Sequence, residues 1–313
     1  MRIDRYEQSS EPKRLTGTLQ PHGAQTGLST RGMFLFGLPF VGVGGWATLS
    51  GLKLITLDES KLHAPHWVLA AFGIVFALGG LLLWRMGWRQ FKTNRRHTEL
   101  DRRDPALADY PWDTRGFRPP RWSRAAKAFA GLAFFALFLS MFNWWAFFAS
   151  GPTLLKVIVG IFDVILLLVA WQVGMVIGRT LKFGPSRIEF PQFPCRPGQM
   201  LRLRWLVPQG ISRIAKGTFT LRCVEEWYEA SGSGKDQSRQ LVQQQVWGSA
   251  ACLDHAQEIL PSKTEELDFD IPADAPSTSL SSGKTVFWEL AVELDLAGLD
   301  FKETYLVPVY RAV

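Results

Sequence analysis

The chain has 313 residues, 47% of them hydrophobic, and a formal net charge of +7. That length suffices for two ordinary domains, and the charge does not imply nucleic acid. Much of the excess flanks long apolar runs, where Lys and Arg mark the untranslocated side of a membrane protein, so no nucleic-acid partner is expected. Its three cysteines, Cys195, Cys223 and Cys252, are an odd number without Cys-x-x-Cys spacing, which excludes complete pairing within the chain and argues against a zinc site.

Residues 1–32 are mixed in character and carry Arg2, Arg5, Lys13, Arg14 and Arg31. A cleaved signal peptide would place its apolar core nearer the start, so the first apolar run reads as an uncleaved anchor. The tail itself has too little apolar material to pack and is expected to be a disordered cytoplasmic segment.

Four apolar runs follow, at about 33–52, 67–84, 128–149 and 153–178, each near the roughly 20 residues that a bilayer core of about 30 Å requires of a helix. The first contains Gly37, Gly42, Gly44, Gly45 and Pro39, residues that break soluble helices but permit close helix contact in lipid. The tail holds five Lys or Arg and the connector 85–127 holds twelve, whereas the segment between the first two runs holds only Lys53 and Lys61. That asymmetry predicts a multi-pass membrane protein with both termini and the connector in the cytoplasm. Tryptophans near the run ends, such as Trp67, Trp84 and Trp144, suit an interfacial belt.

From about residue 181 the periodicity becomes two, the pattern of strands with one buried face. Leu201–Val207 places Leu201, Leu203, Trp205 and Val207 on one side, and Val286–Leu294 alternates likewise. Thr218–Trp227, Gln240–Trp247, Glu266–Ile271 and Thr304–Tyr310 complete a set that predicts an antiparallel, immunoglobulin-like β-sandwich over 181–313. Within it, Phe269-Asp270-Ile271-Pro272-Ala273-Asp274-Ala275-Pro276, then Val286–Val292 with Trp288, then Leu299-Asp300-Phe301 and Tyr305-Leu306-Val307-Pro308-Val309-Tyr310 resemble the second half of an arrestin-like β-sandwich. Pro197–Leu201 and Phe219–Cys223 resemble its early strands. The whole layout looks like a bacterial four-span membrane protein family with such a C-terminal domain. The resemblance implies a protein-interaction role and no catalytic residues.

Asp163 lies inside the fourth run, where an acid costs several kcal/mol unless it is paired, protonated or facing water. Lys156, seven positions earlier, falls on a similar face, and Asn143 and Gln172 offer further intramembrane polar contacts. Asp58, Glu59, His63 and His66 between the first two runs form a weak metal candidate, although Pro65 prevents one helix from carrying both histidines. Arg85, Arg89, Lys92, Arg121, Arg124 and Lys127 are placed to meet lipid headgroups. Tyr110-Pro111-Trp112 and Pro119-Pro120 in the connector suggest that it packs against the β domain or the membrane surface. Ser231–Asp236 lacks the spacing of a phosphate-binding loop. No catalytic constellation or cofactor motif is legible. The expected protein is therefore a membrane adaptor that presents its β-sandwich to protein partners, with possible homo-oligomers. The alternative is a small oligomeric transporter or channel with Asp163 in its path.

Overall fold

The computed structural model describes residues 1–16, 22, 30–55, 65–100, 105–149, 151–231, 238–280 and 284–311. The chain forms two compact units. One comprises Thr26–Arg95 and Trp122–Gly178; the other comprises Met1–Gln25, Arg96–Arg121 and Arg179–Val313.

The first unit is helical, built from α1 (Thr30–Gly51), most of α2 (His66–Leu100), α4 (Arg121–Asn143) and α5 (Thr153–Phe183), with α3 (Pro105–Asp109) lying between α2 and α4 in the chain. All four long helices are long and apolar enough to cross a membrane. A glycine seam joins α1 to α2. A Cβ at Gly44 or Gly73 would fall on the main chain of Ala77 or Thr48, and one at Gly37 would meet the Trp84 ring at 2.7 Å. Gly37, Gly44 and Gly51 recur every seven residues, as do Gly73 and Gly80, so both rows stay on facing sides over several turns. Gly42 and Gly45 face open space instead. Trp84 crosses the seam and donates its Nε1–H to Phe34 O at 3.0 Å. Ala71 and Val75 of α2 pack with Met141 of α4, and Leu139 and Ala146 pack with Val159 of α5. Among the described residues, contacts therefore run from helix to helix in chain order.

The expected helix limits need extension. α2 continues through the basic residues to Leu100 because no Gly or Pro interrupts the chain between Gly87 and Pro105. α4 starts at Arg121, directly after Pro119-Pro120, where a residue preceding proline resists helical geometry. It ends in a π-helical turn, Trp144–Phe148.

The second unit contains two antiparallel sheets. The larger has the order β1 (Arg5–Ser9), β8 (Ser238–Leu253), β7 (Lys216–Ser231), β11 (Thr285–Asp295), β12 (Phe301–Val307), with β2 (Lys13–Arg14) also on β8. The smaller runs β10 (Thr264–Asp270), β5 (Met200–Leu206), β4 (Arg187–Glu189), β3 (Gly116–Phe117). A short pair, β6 (Arg213–Ile214) and β9 (Gln257–Glu258), lies apart. Leu203 and Trp205 of the smaller sheet pack with Phe219, Leu221, Trp288 and Leu290 of the larger in one core, the arrangement of a sandwich. Trp205 Nε1 donates to Tyr305 Oη at 3.2 Å and Trp288 Nε1 to Pro276 O at 2.8 Å, which satisfies both buried indoles. β12 closes at Val307 because Pro308 has no N–H to extend the ladder.

Two expectations are overturned here. The tail is not wholly disordered: Arg5–Ser9 pairs with Cys252–Gly248, and Lys13 and Arg14 pair with Gln245 and Gln244. Its strands need little apolar character of their own, since the edge of β8 supplies the hydrogen-bonding template. The β unit also starts before residue 181, because β3 comes from the connector and pairs with β4. Ala106 and Trp112 of the connector pack with Val224, Phe287, Leu306 and Tyr310, in agreement with the packing that its aromatic residues suggest.

Candidate functional site

In the helical unit, Asn143 Nδ2 donates to Asp163 Oδ1 at 2.9 Å and sits 3.4 Å from Leu139 O, its own turn's carbonyl. Both side chains are half-buried. The bond links the end of α4 to the middle of α5 and gives the carboxylate a partner in an apolar setting. Lys156 and Gln172 do not join this pair; both are exposed on α5. Seven residues make about 10.5 Å of helix rise, too far for Lys156 to bond Asp163 directly although both lie on a similar side.

His66 opens α2, while Asp58, Glu59 and His63 lie outside the described residues. Among the described residues no group of three or more His, Cys, Asp or Glu side chains gathers to hold a metal. Arg85, Arg89, Lys92 and Lys127 are exposed and Arg124 is half-buried. Arg121 departs from the headgroup assignment. Its side chain is only 9% exposed and ion-paired with Glu303, itself 3% exposed. It also donates to Gly184 O at 2.8 Å and lies 4.7 Å from the Phe301 ring centroid. Charge tally cannot separate such an arginine from its exposed neighbours, because its partner is distant in the chain.

Connector, tail and sandwich are held together by polar contacts that local patterns did not disclose. Asp109 accepts from Leu280 N at 2.9 Å and from Tyr310 Oη at 2.8 Å. His22 donates its backbone N–H to Glu226 Oε2 at 3.1 Å, and its ring lies 4.5 Å from that of Phe287. Burial depresses the His22 pKa, against the opposing pull of Glu289 and Glu226. Gln243 Nε2 donates to the same Glu226 carboxylate at 2.7 Å. Burial pushes the thiols of Cys195 and Cys223 up to about 12, with Glu225 adding to the effect at Cys223; such thiols are poor nucleophiles.

One open surface of the β unit is the mouth of the sandwich between β1 and β10. Among the described residues each of these strands pairs on one side only, and Tyr6 meets Phe269 edge-on at 6.4 Å. Two adjoining cavities lie there, of about 340 and 570 Å³. Tyr6 and Gln8 with Asp268, Phe269 and Asp270 line the first; Gln8, Ser10, Trp247 and Asp274 are among the walls of the second. Tyr6, Gln8 and Ser10 alternate, so they present one side of β1, whereas the consecutive run Asp268–Asp270 presents the edge of β10.

No family model matches the chain, and no curated protein matches it. Among solved structures it is similar to the sporulation control protein Spo0M from Bacillus subtilis, at 16% identity and a TM-score of 0.26, over 41% of this chain. The likeness spans 49% of that protein's own length. At that degree of superposition it carries neither fold assignment nor function to this chain.

Proposed function

We propose that the chain is a membrane-anchored adaptor, in which four helices span a bacterial inner membrane and an arrestin-like β-sandwich recruits a protein partner in the cytoplasm. The observation that carries the reading is the pair of open strand edges, β1 and β10, set beside a groove. Open edges accept extended segments by main-chain pairing. The helical unit fits the anchoring half of the proposal. Leu154, Leu167 and Trp171 of α5 are each 70% exposed or more, and apolar surface of that extent is at home in hydrocarbon rather than water. The basic residues of α2 and the connector favour a cytoplasmic location for both termini. Neither an enzymatic role nor a cofactor is part of this reading, and the exposed surface of α5 is available for lipid or for another copy.

The test uses the full chain in intact cells, with a photo-crosslinking residue in place of Asp268 in one preparation and of Trp171 in another. A defined protein captured from position 268 but not from position 171 supports the adaptor. Capture of lipid and of the chain itself from both positions would defeat it.

A second reading, a small transporter or channel, rests on the Asn143–Asp163 hydrogen bond, since a carboxylate held within the helical unit can bind a proton or cation. In proteoliposomes, Asp163→Asn would abolish proton or cation flux under this reading and would leave crosslinking from position 268 unchanged under the adaptor reading.

A further inference from the structure

We infer that the open edge of β10 is a docking site for an extended peptide that alternates basic and apolar residues; this deepens the adaptor reading and rests on it. The argument starts from register. Val207 N donates to Lys263 O at 2.9 Å, just beyond the end of the β10–β5 ladder, in which Thr264 faces Leu206 and Asp270 faces Met200. In an antiparallel ladder the pairs that exchange hydrogen bonds alternate with pairs that do not. Glu265, Leu267 and Phe269 therefore spend their main-chain groups on β5, while Glu266, Asp268 and Asp270 turn their N–H and C=O groups toward the unpaired side. The side chains alternate in the same rhythm. Those of Glu265, Leu267 and Phe269 are buried, whereas those of Glu266, Asp268 and Asp270 are exposed.

A strand laid against this edge would have every second residue opposite one of those three carboxylates, on the same face and about 5 Å away between Cβ atoms. Lysine or arginine belongs at these positions. The intervening residues would point into the mouth of the sandwich, where Tyr6 and Phe269 line the first cavity; valine, isoleucine or leucine belongs there. On the far side of β10, Arg204 lies 3.0 Å from Glu266 and Arg202 lies 3.8 Å from Asp268. The incoming basic residues would continue that charge ladder outward, as basic, acidic, basic across three strands. The cavity beside the edge is lined by Asp268 and Asp270 and, among the described residues, by no Lys or Arg.

The experiment measures fluorescence anisotropy of labelled ten-residue peptides with the full chain in nanodiscs of phosphatidylcholine. The probes are an alternating lysine–valine peptide, its glutamate–valine counterpart, and a block peptide of five lysines followed by five valines. The lysine–valine peptide should bind, the glutamate–valine peptide should not, and the block peptide should bind at least tenfold more weakly. Asp268→Asn combined with Asp270→Asn, both at exposed positions, should lower affinity for the alternating peptide at least tenfold. N-methylation of one alternating set of its amides should abolish binding and methylation of the other set should spare it, because a strand bonds its neighbour through one edge only. The inference is overturned if no peptide binds, if the double variant binds as the parent does, or if block and alternating peptides bind alike. Should the peptides fail while position 268 still captures a saturable protein partner, the adaptor survives and only the proposed peptide chemistry falls. Loss of both would sink the adaptor as well.

Discussion

Trp112 donates its Nε1–H to the hydroxyl of Tyr310 at 3.0 Å, and that hydroxyl in turn donates to Asp109 at 2.8 Å. The relay binds the connector to the end of the chain beyond β12. Trp112→Phe removes the first donor from a buried site and should cost about 1 kcal/mol. Hydrogen exchange should show it as faster exchange over Asp109–Phe117, with the β11–β12 ladder unaffected.

Arg121 and Glu303 make a stronger claim on stability, because both are almost fully buried. Arg121→Ala would leave the Glu303 carboxylate without its guanidinium and should destabilise by about 3–5 kcal/mol. Adding Glu303→Gln should recover part of that loss. A double-mutant cycle from denaturant unfolding of the full chain would measure the coupling, and purely additive losses would count against the pair.

The glycine seam separates two substitutions that look alike in sequence. Gly44→Leu drives a side chain onto the main chain of α2, whereas Gly45→Leu points into open space. Overpacking typically costs about 1–3 kcal/mol, and the rigid backbone at Gly44 places it at the upper end. Thermal unfolding in detergent micelles should show a large drop for the first and little change for the second.

His22 gives the tail contact a pH dependence of definite sign. Burial depresses its pKa in the folded state, so the folded chain favours the neutral imidazole. Its contribution to stability is fully present above the unfolded value of about 6.5 and is lost as pH falls through the lower folded value. Exchange protection of β2 should therefore weaken on acidification, and His22→Phe should flatten that response.

Cys195 and Cys223, with thiols pushed up to about 12, should resist iodoacetamide at pH 8 in the folded protein. Both should alkylate promptly once denaturant is added, and mass spectrometry of the labelled peptides reads the difference.

The strands that could be read in advance are those whose own side chains carry the period. β5 and β10 alternate buried and exposed residues along their whole length. β1 shows no such signal, since all five of its residues are exposed, and its pairing depends on β8, remote in sequence. The same distance hides the partner of Arg121. Asp163 was conspicuous as an acid in an apolar run, and Asn143 is the member of its proposed set that the structure brings to it. Lys156 shared its side of the helix but not its level, a distinction that helical periodicity alone does not make.

The larger sheet takes its first strand from residues 5–9 and its last from residues 301–307. On the ribosome, the segment that becomes β1 is made long before β8 exists to receive it, and all four apolar helices emerge in between. The tail must therefore wait, through the synthesis of nearly the whole protein, in the compartment where the final strands appear. A version of the chain whose first residues were delivered to the other side of a membrane could never complete this sheet. Closure of β1 on β8 thus requires residues 5–9 and 248–252 to meet on one side of any membrane that the helices cross.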